Sequence, residues 1–209
     1  MVHISDGVLP PVMLAAGFLL TAILLFYSLR STRAEEIPKI SIITAALFVA
    51  SLIHFPVGPT SVHLILNGIA GILLGRRAYA GVFVALTMQA VFFSHGGLTA
   101  LGVNAFNMGF PALLAWQIFK IRCNCSMQKK ELLFGALAGG FAVLASVLLV
   151  SLELLATGEA FREISILVIA VHLPVMLIEA AVAGFAAGFL DKVKPEMLAD
   201  GETGAANVY

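Results

Sequence analysis

The chain has 209 residues, of which 60% are hydrophobic and 11% charged, and its formal net charge is zero. Water-soluble domains carry roughly 25% charged residues and about half apolar ones, so this composition leaves no polar surface to face water. A polytopic membrane protein fits, with a mean hydropathy of +1.02, and nothing in the charge balance points to nucleic acid.

A spanning helix needs about 20 mostly apolar residues, so a chain of this length holds at most about eight spans. Seven apolar segments lie between charged or Gly/Pro-marked breaks: 10–29, 40–56, 60–75, 79–95, 104–121, 131–156 and 165–190. The second and third are short and meet at Pro56, Gly58 and Pro59. Backbone in lipid must bond internally, and long apolar runs without alternation read as helices. The expected fold is an all-α membrane protein with seven transmembrane helices, residues 1–190 forming one domain and 191–209 a short solvated tail.

Lys and Arg placement sets the expected orientation. Arg30, Arg33 and Lys39 follow span one, and Arg76 and Arg77 follow span three. Lys120, Arg122, Lys129 and Lys130 follow span five, and Lys192 and Lys194 follow span seven, whereas the opposite loops hold only Arg162. This predicts an amino terminus outside and a carboxy terminus in the cytoplasm. No basic stretch precedes the first apolar run, which argues against a cleaved signal peptide.

On that map all five histidines fall toward the outer face. His3 is at the terminus, His54 and His63 flank the turn between spans two and three, His95 opens the loop before span five, and His172 is near the outer end of span seven. A histidine beside a free amino terminus chelates through the amine, deprotonated amides and its Nδ1, a tetragonal nitrogen set suited to Ni(II) and Cu(II). Met1, Val2 and His3 supply four such nitrogens; without Met1 the set is three, and a fourth must come from elsewhere. His63 is the natural source, on a Gly-Pro turn that re-enters the membrane, where non-helical backbone is tolerated only around a cavity. His54 serves equally as ligand or packing residue.

Between Gln89 and Met108 the sequence is rich in glycine and uncharged polar side chains. Gln89, Ser94, His95, Thr99, Asn104 and Asn107 are candidates to bond the second ring nitrogen of a metal ligand, or simply to satisfy a kinked loop. Asp6, Thr60 and Ser61 are further candidates near the expected site. His172 and Glu179 are seven apart and share one face of span seven; a proton relay and a buried structural hydrogen bond both fit. Cys123 and Cys125 form a lone Cys-x-Cys, a weak metal signal. Gly71 with Gly75, Gly135 with Gly139, and Gly184 with Gly188 suit close helix packing or docking of a membrane partner. No nucleotide-binding loop, His-Glu-x-x-His or G-x-S-x-G motif occurs, so ATP hydrolysis is expected on other subunits and an enzyme is not expected.

The pieces HISDGVLPP at 3–11, GPTSVHL at 58–64, HGGLTALGVNAFNMG at 95–109 and VHLP at 171–174 together resemble the CbiM/NikM family, the substrate-capturing membrane components of energy-coupling-factor nickel and cobalt transporters. The resemblance implies a seven-helix domain in the cell membrane whose amino terminus inserts into the bundle and makes a planar site for Ni(II) or Co(II), the transported substrate. It also implies a transmembrane coupling subunit, a cytoplasmic ATPase pair and a small accessory membrane subunit. Its metal ligands map onto Met1, His3 and His63. Members begin Met-His; this chain begins Met-Val-His, which adds the Val2 amide to the nitrogens at hand. The competing reading is a stand-alone proton-coupled cation channel or antiporter using His172 and Glu179.

Overall fold

The computed structural model describes residues 3–30, 32–57 and 60–199. Among these, seven α-helices follow in order: α1 Pro11–Leu29, α2 Ile37–Leu52, α3 Asn67–Leu74, α4 Ala78–Phe93, α5 Leu101–Lys120, α6 Lys130–Thr157 and α7 Arg162–Val193. Among the described residues four stretches are long and apolar enough to cross a membrane: Pro11–Leu29, Asn67–Phe93 (α3 and α4 taken through their turn), Lys130–Thr157 and Glu159–Val193.

The expectation of an all-helical chain is corrected between α2 and α3. There β1 (His54–Val57) pairs antiparallel with β2 (Thr60–His63), placing the His54 backbone opposite that of His63. Pro56 and Pro59 each bias the preceding residue away from helix and withhold an N–H, and the β-branched Val57, Thr60 and Val62 favour extended backbone. Span two therefore stops at Leu52, and the third segment begins extended and turns helical only at Asn67.

Small residues set the packing inside the chain. A Cβ at Gly135 would stand 2.8 Å from the Ala187 Cβ and 2.9 Å from the Ala183 carbonyl oxygen, and one at Gly184 would stand 2.7 Å from the Leu132 carbonyl oxygen. Helices α6 and α7 thus touch backbone to backbone. Gly71 packs likewise on α5 at Ala112 and Trp116. The tail departs from a solvated end as far as residue 199: Leu198 is buried, and the Ala199 N–H donates to the Ile72 carbonyl at 2.9 Å. Basic and acidic residues meet nearby, where Arg77 pairs with Glu36 and the Ser28 hydroxyl at the end of α1 donates to the Arg76 carbonyl.

Candidate metal centre

Residues 3–10 form a strap that enters the bundle ahead of α1. His3, Ile4 and Leu9 are buried, whereas Ser5, Asp6 and Gly7 are exposed. Two side chains hold the strap down. Asn104, buried on the first turn of α5, accepts from the Ile4 N–H at 2.8 Å and donates through Nδ2 to the Ile4 carbonyl at 2.9 Å. The Asp6 carboxylate accepts from the N–H groups of Leu98, Thr99 and Ala100 at 3.2, 2.9 and 3.2 Å, and from the Thr99 hydroxyl. Ala100, the residue before α5, has no side-chain cap of its own; the strap supplies a carboxylate there. The Thr99 hydroxyl bond, followed by the backbone N–H groups, holds the Asp6 carboxyl below the usual carboxylate range.

This anchoring delivers His3 to His63. The two rings stack 5.1 Å apart at 12°, with Nε2 facing Nε2 at 3.2 Å. His63 Nδ1 lies 2.8 Å from the Leu64 carbonyl, which can only accept, so the proton is on Nδ1 and Nε2 bears a lone pair. The His3 Nε2–H donates to that lone pair, and His3 Nδ1 is left unprotonated. Each ring thus offers the nitrogen a metal needs: Nδ1 on the chelating terminal histidine, Nε2 on the partner. Burial first, then the neighbouring His63 and His95, hold the His3 imidazole well below its ordinary value, so it is the neutral ligand form.

Among the described residues no three His, Cys, Asp or Glu side chains gather around one point. A cavity of about 220 Å³ lies under the strap, walled by His3, Ile4, Val150, Leu154 and Phe161 among others. Of the residues expected to ligate, His3 and His63 are brought together, and Met1 and Val2 lie outside the described residues. The side chains of His54, Thr60 and Ser61 also lie outside them; only their strand backbone is described. His95 is near His3 and stacks at a tilt on Phe93, 6.4 Å between centroids.

Three expected helpers act elsewhere. Asn104 clasps backbone rather than an imidazole. Asn107 Nδ2 donates to Glu153 at 2.6 Å, and Gln89 Nε2 donates to the Ser51 hydroxyl at 2.6 Å. Both amides are spent on polar side chains inside the bundle. His172 Nδ1–H donates to the Val168 carbonyl at 2.7 Å, one turn back. Of the two roles open to Glu179, it takes the buried structural hydrogen bond, with partners outside its own helix. Its carboxylate accepts from the N–H groups of Ile65 and Leu66, just after His63. A lone carboxylate in an apolar run is the signal that it has a buried partner.

A family model described as the cobalt uptake substrate-specific transmembrane region matches residues 3–197. The chain belongs to the CbiM family. Within that frame it is 37% identical over 198 residues to a putative metal transport protein of Haemophilus influenzae, covering 94% of this chain and 96% of that one. It is 31% identical over 160 residues to a fused nickel transport protein NikMN of Rhodobacter capsulatus, covering 72% of this chain but 46% of that longer protein. A solved structure of a transition metal transporter superposes with a TM-score of 0.75 at 25% identity, covering 93% of this chain and 94% of the other. The expectation of a CbiM/NikM-type metal transport protein is thereby met.

Proposed function

We propose that this CbiM-family chain captures Ni(II) or Co(II) at the outer face of the cell membrane and hands it inward as the substrate-specific component of an ATP-driven energy-coupling-factor transporter. The observation that carries this reading is the buried His3–His63 pair, with facing nitrogens at 3.2 Å on a strap anchored at Ile4 and Asp6. In a chain that starts at Val2, the Val2 amine with the His3 amide and Nδ1 supplies three nitrogens and His63 takes the fourth corner of the plane; with Met1 retained, Met1, Val2 and His3 fill all four corners and His63 stands beside the ion. Deprotonated amide, amine and imidazole nitrogens favour a tetragonal late-transition-metal ion over hard cations.

In this reading α1–α7 are the seven spans of one domain over residues 1–190, with the hairpin and short α3 as a re-entrant third span and 191–209 as a tail. The clustering of Arg76, Arg77, Glu36 and the end of α1 supports one basic face, the cytoplasmic one, opposite the histidines. ATP hydrolysis falls to a cytoplasmic ATPase pair working through a transmembrane coupling subunit, with a small accessory membrane subunit beside them. The test is nickel uptake by cells carrying the chain with and without those subunits. Uptake that needs the ATPases and is lost in His63→Ala supports the proposal; ATPase-independent uptake would instead favour a channel or antiporter. Against that second reading, both Glu179 oxygens are engaged by backbone.

A further inference from the structure

His63 ends β2, and Leu64, Ile65 and Leu66 join it to α3. This stretch is buried, with Ile65 3% and Asn67 0% exposed, so its N–H groups need acceptors within the protein. The segment does not provide them. Leu66, the residue before α3, is apolar, has a left-handed backbone at φ 54°, and caps nothing with its side chain. The acceptors come from α7, where Glu179, itself 2% exposed, takes the Ile65 N–H on one oxygen and the Leu66 N–H, at 2.9 Å, on the other. That carboxylate is presented from a fixed place, since a Cβ at Gly139 of α6 would stand 2.8 Å from the Glu179 carbonyl oxygen.

The Ile65 N–H and the Leu64 carbonyl belong to one rigid peptide plane. Its N–H end is bonded to Glu179 and its carbonyl end accepts from His63 Nδ1 at 2.8 Å. We infer that Glu179 is the positioning residue for His63: through the Leu64–Ile65 peptide it fixes the tautomer and direction of the imidazole, so that Nε2 points at His3. The arrangement is a carboxylate–histidine pairing of the kind that orients metal ligands, with one peptide unit inserted between its members. It rests on reading His63 as a residue that binds the metal.

The test is a Ni(II) titration of the purified full chain, free at its amino terminus, in four forms: wild type, Glu179→Gln, His63→Ala and the double variant. Glutamine keeps the size but offers one acceptor oxygen and sets an NH2 against a backbone donor. The expected loss in affinity is about tenfold to a hundredfold, the range for partners that orient a metal ligand. Little or no further loss is expected when His63 is already absent, because the two act through one another. An equal loss in both backgrounds, or no loss from Glu179→Gln where His63→Ala binds poorly, would overturn the inference. Wild-type affinity in His63→Ala would remove His63 from the site and the inference with it, a result read without any Glu179 variant. A measurement on the unmutated, metal-free protein guards against a misfolded variant: histidine nitrogen NMR should find His63 locked as the Nδ1–H tautomer, and an Nε2–H or freely exchanging ring would overturn the inference as well.

Discussion

Replacing Asn104 with alanine tests whether the strap's docking controls metal capture. Asn104 makes two short bonds to the Ile4 backbone, at 2.8 and 2.9 Å, and a longer one to the Gly96 carbonyl at 3.4 Å. A neutral hydrogen bond contributes a net ~1 kcal/mol, so the two short bonds favour the docked strap by ~2 kcal/mol. Without them the Ile4 groups return to water when the strap lifts, and undocking becomes easier by that amount. Asp6 still holds residues 98–100, and Leu9 is still buried, so the strap is weakened rather than released. At 1.4 kcal/mol per tenfold, Asn104→Ala should weaken Ni(II) binding by roughly thirtyfold. Competition titration against a chelator reads the affinity, and labelling of the terminal amine in the metal-free protein reads the exposure of the strap. Unchanged affinity together with faster amine labelling would show that strap docking and metal capture are separate, and would refute the reasoning.

Acetylating the amino terminus, or fusing a tag to it, should cut metal affinity by orders of magnitude, because the terminal amine and the amide next to it are the nitrogens that side chains do not replace; a tagged chain that binds as tightly as the free one contradicts this. Gly139→Val should lower the Tm of the purified protein by several degrees, since its Cβ would meet the Ala183 Cβ at 2.5 Å and overpacking costs about 1–3 kcal/mol, with about 2–4 °C per kcal/mol for a chain of this size. Asp6 is a carboxyl whose folded value is depressed, so its contribution is present above the ordinary carboxylate range and is lost as pH falls through the lower folded value. In an acid titration of strap protection, the wild type should therefore release the strap over that acid window, whereas Asp6→Asn should show a weaker and pH-independent hold.

Much of the site could be read from the sequence because its parts are local. His3 is informative through its distance from the terminus, and His63 through the adjacent Pro56, Gly58 and Pro59, a cluster that breaks a helical run. The hairpin was less legible: Pro56, Gly58 and Pro59 mark a break between two apolar runs, but a break alone does not say that the residues on either side pair as strands. The caps were out of reach for a different reason. The carboxylates at the starts of α3 and α5 are those of Glu179 and Asp6, residues more than ninety positions away in sequence, while the residues just before the helices, Leu66 and Ala100, carry no capping side chain. Asn104, Asn107 and Gln89 were candidates to bond an imidazole or a kinked loop, and they bond a peptide, a carboxylate and a hydroxyl instead; sequence does not say which partner an amide meets. Paired glycines read as packing seams proved to lie between α6 and α7 and between α3 and α5, where backbones approach within the chain.

The central claim, a nitrogen site formed by the amino terminus with His3 and His63, is tested most directly by X-ray absorption on the Ni(II)-loaded protein with a free terminus at Val2. The account calls for one ion per chain with a four-coordinate planar shell of nitrogens at about 2 Å, and with imidazole scattering that diminishes in His63→Ala. A six-coordinate, oxygen-rich shell, or a spectrum unchanged by His63→Ala and by acetylation of the terminus, would contradict it.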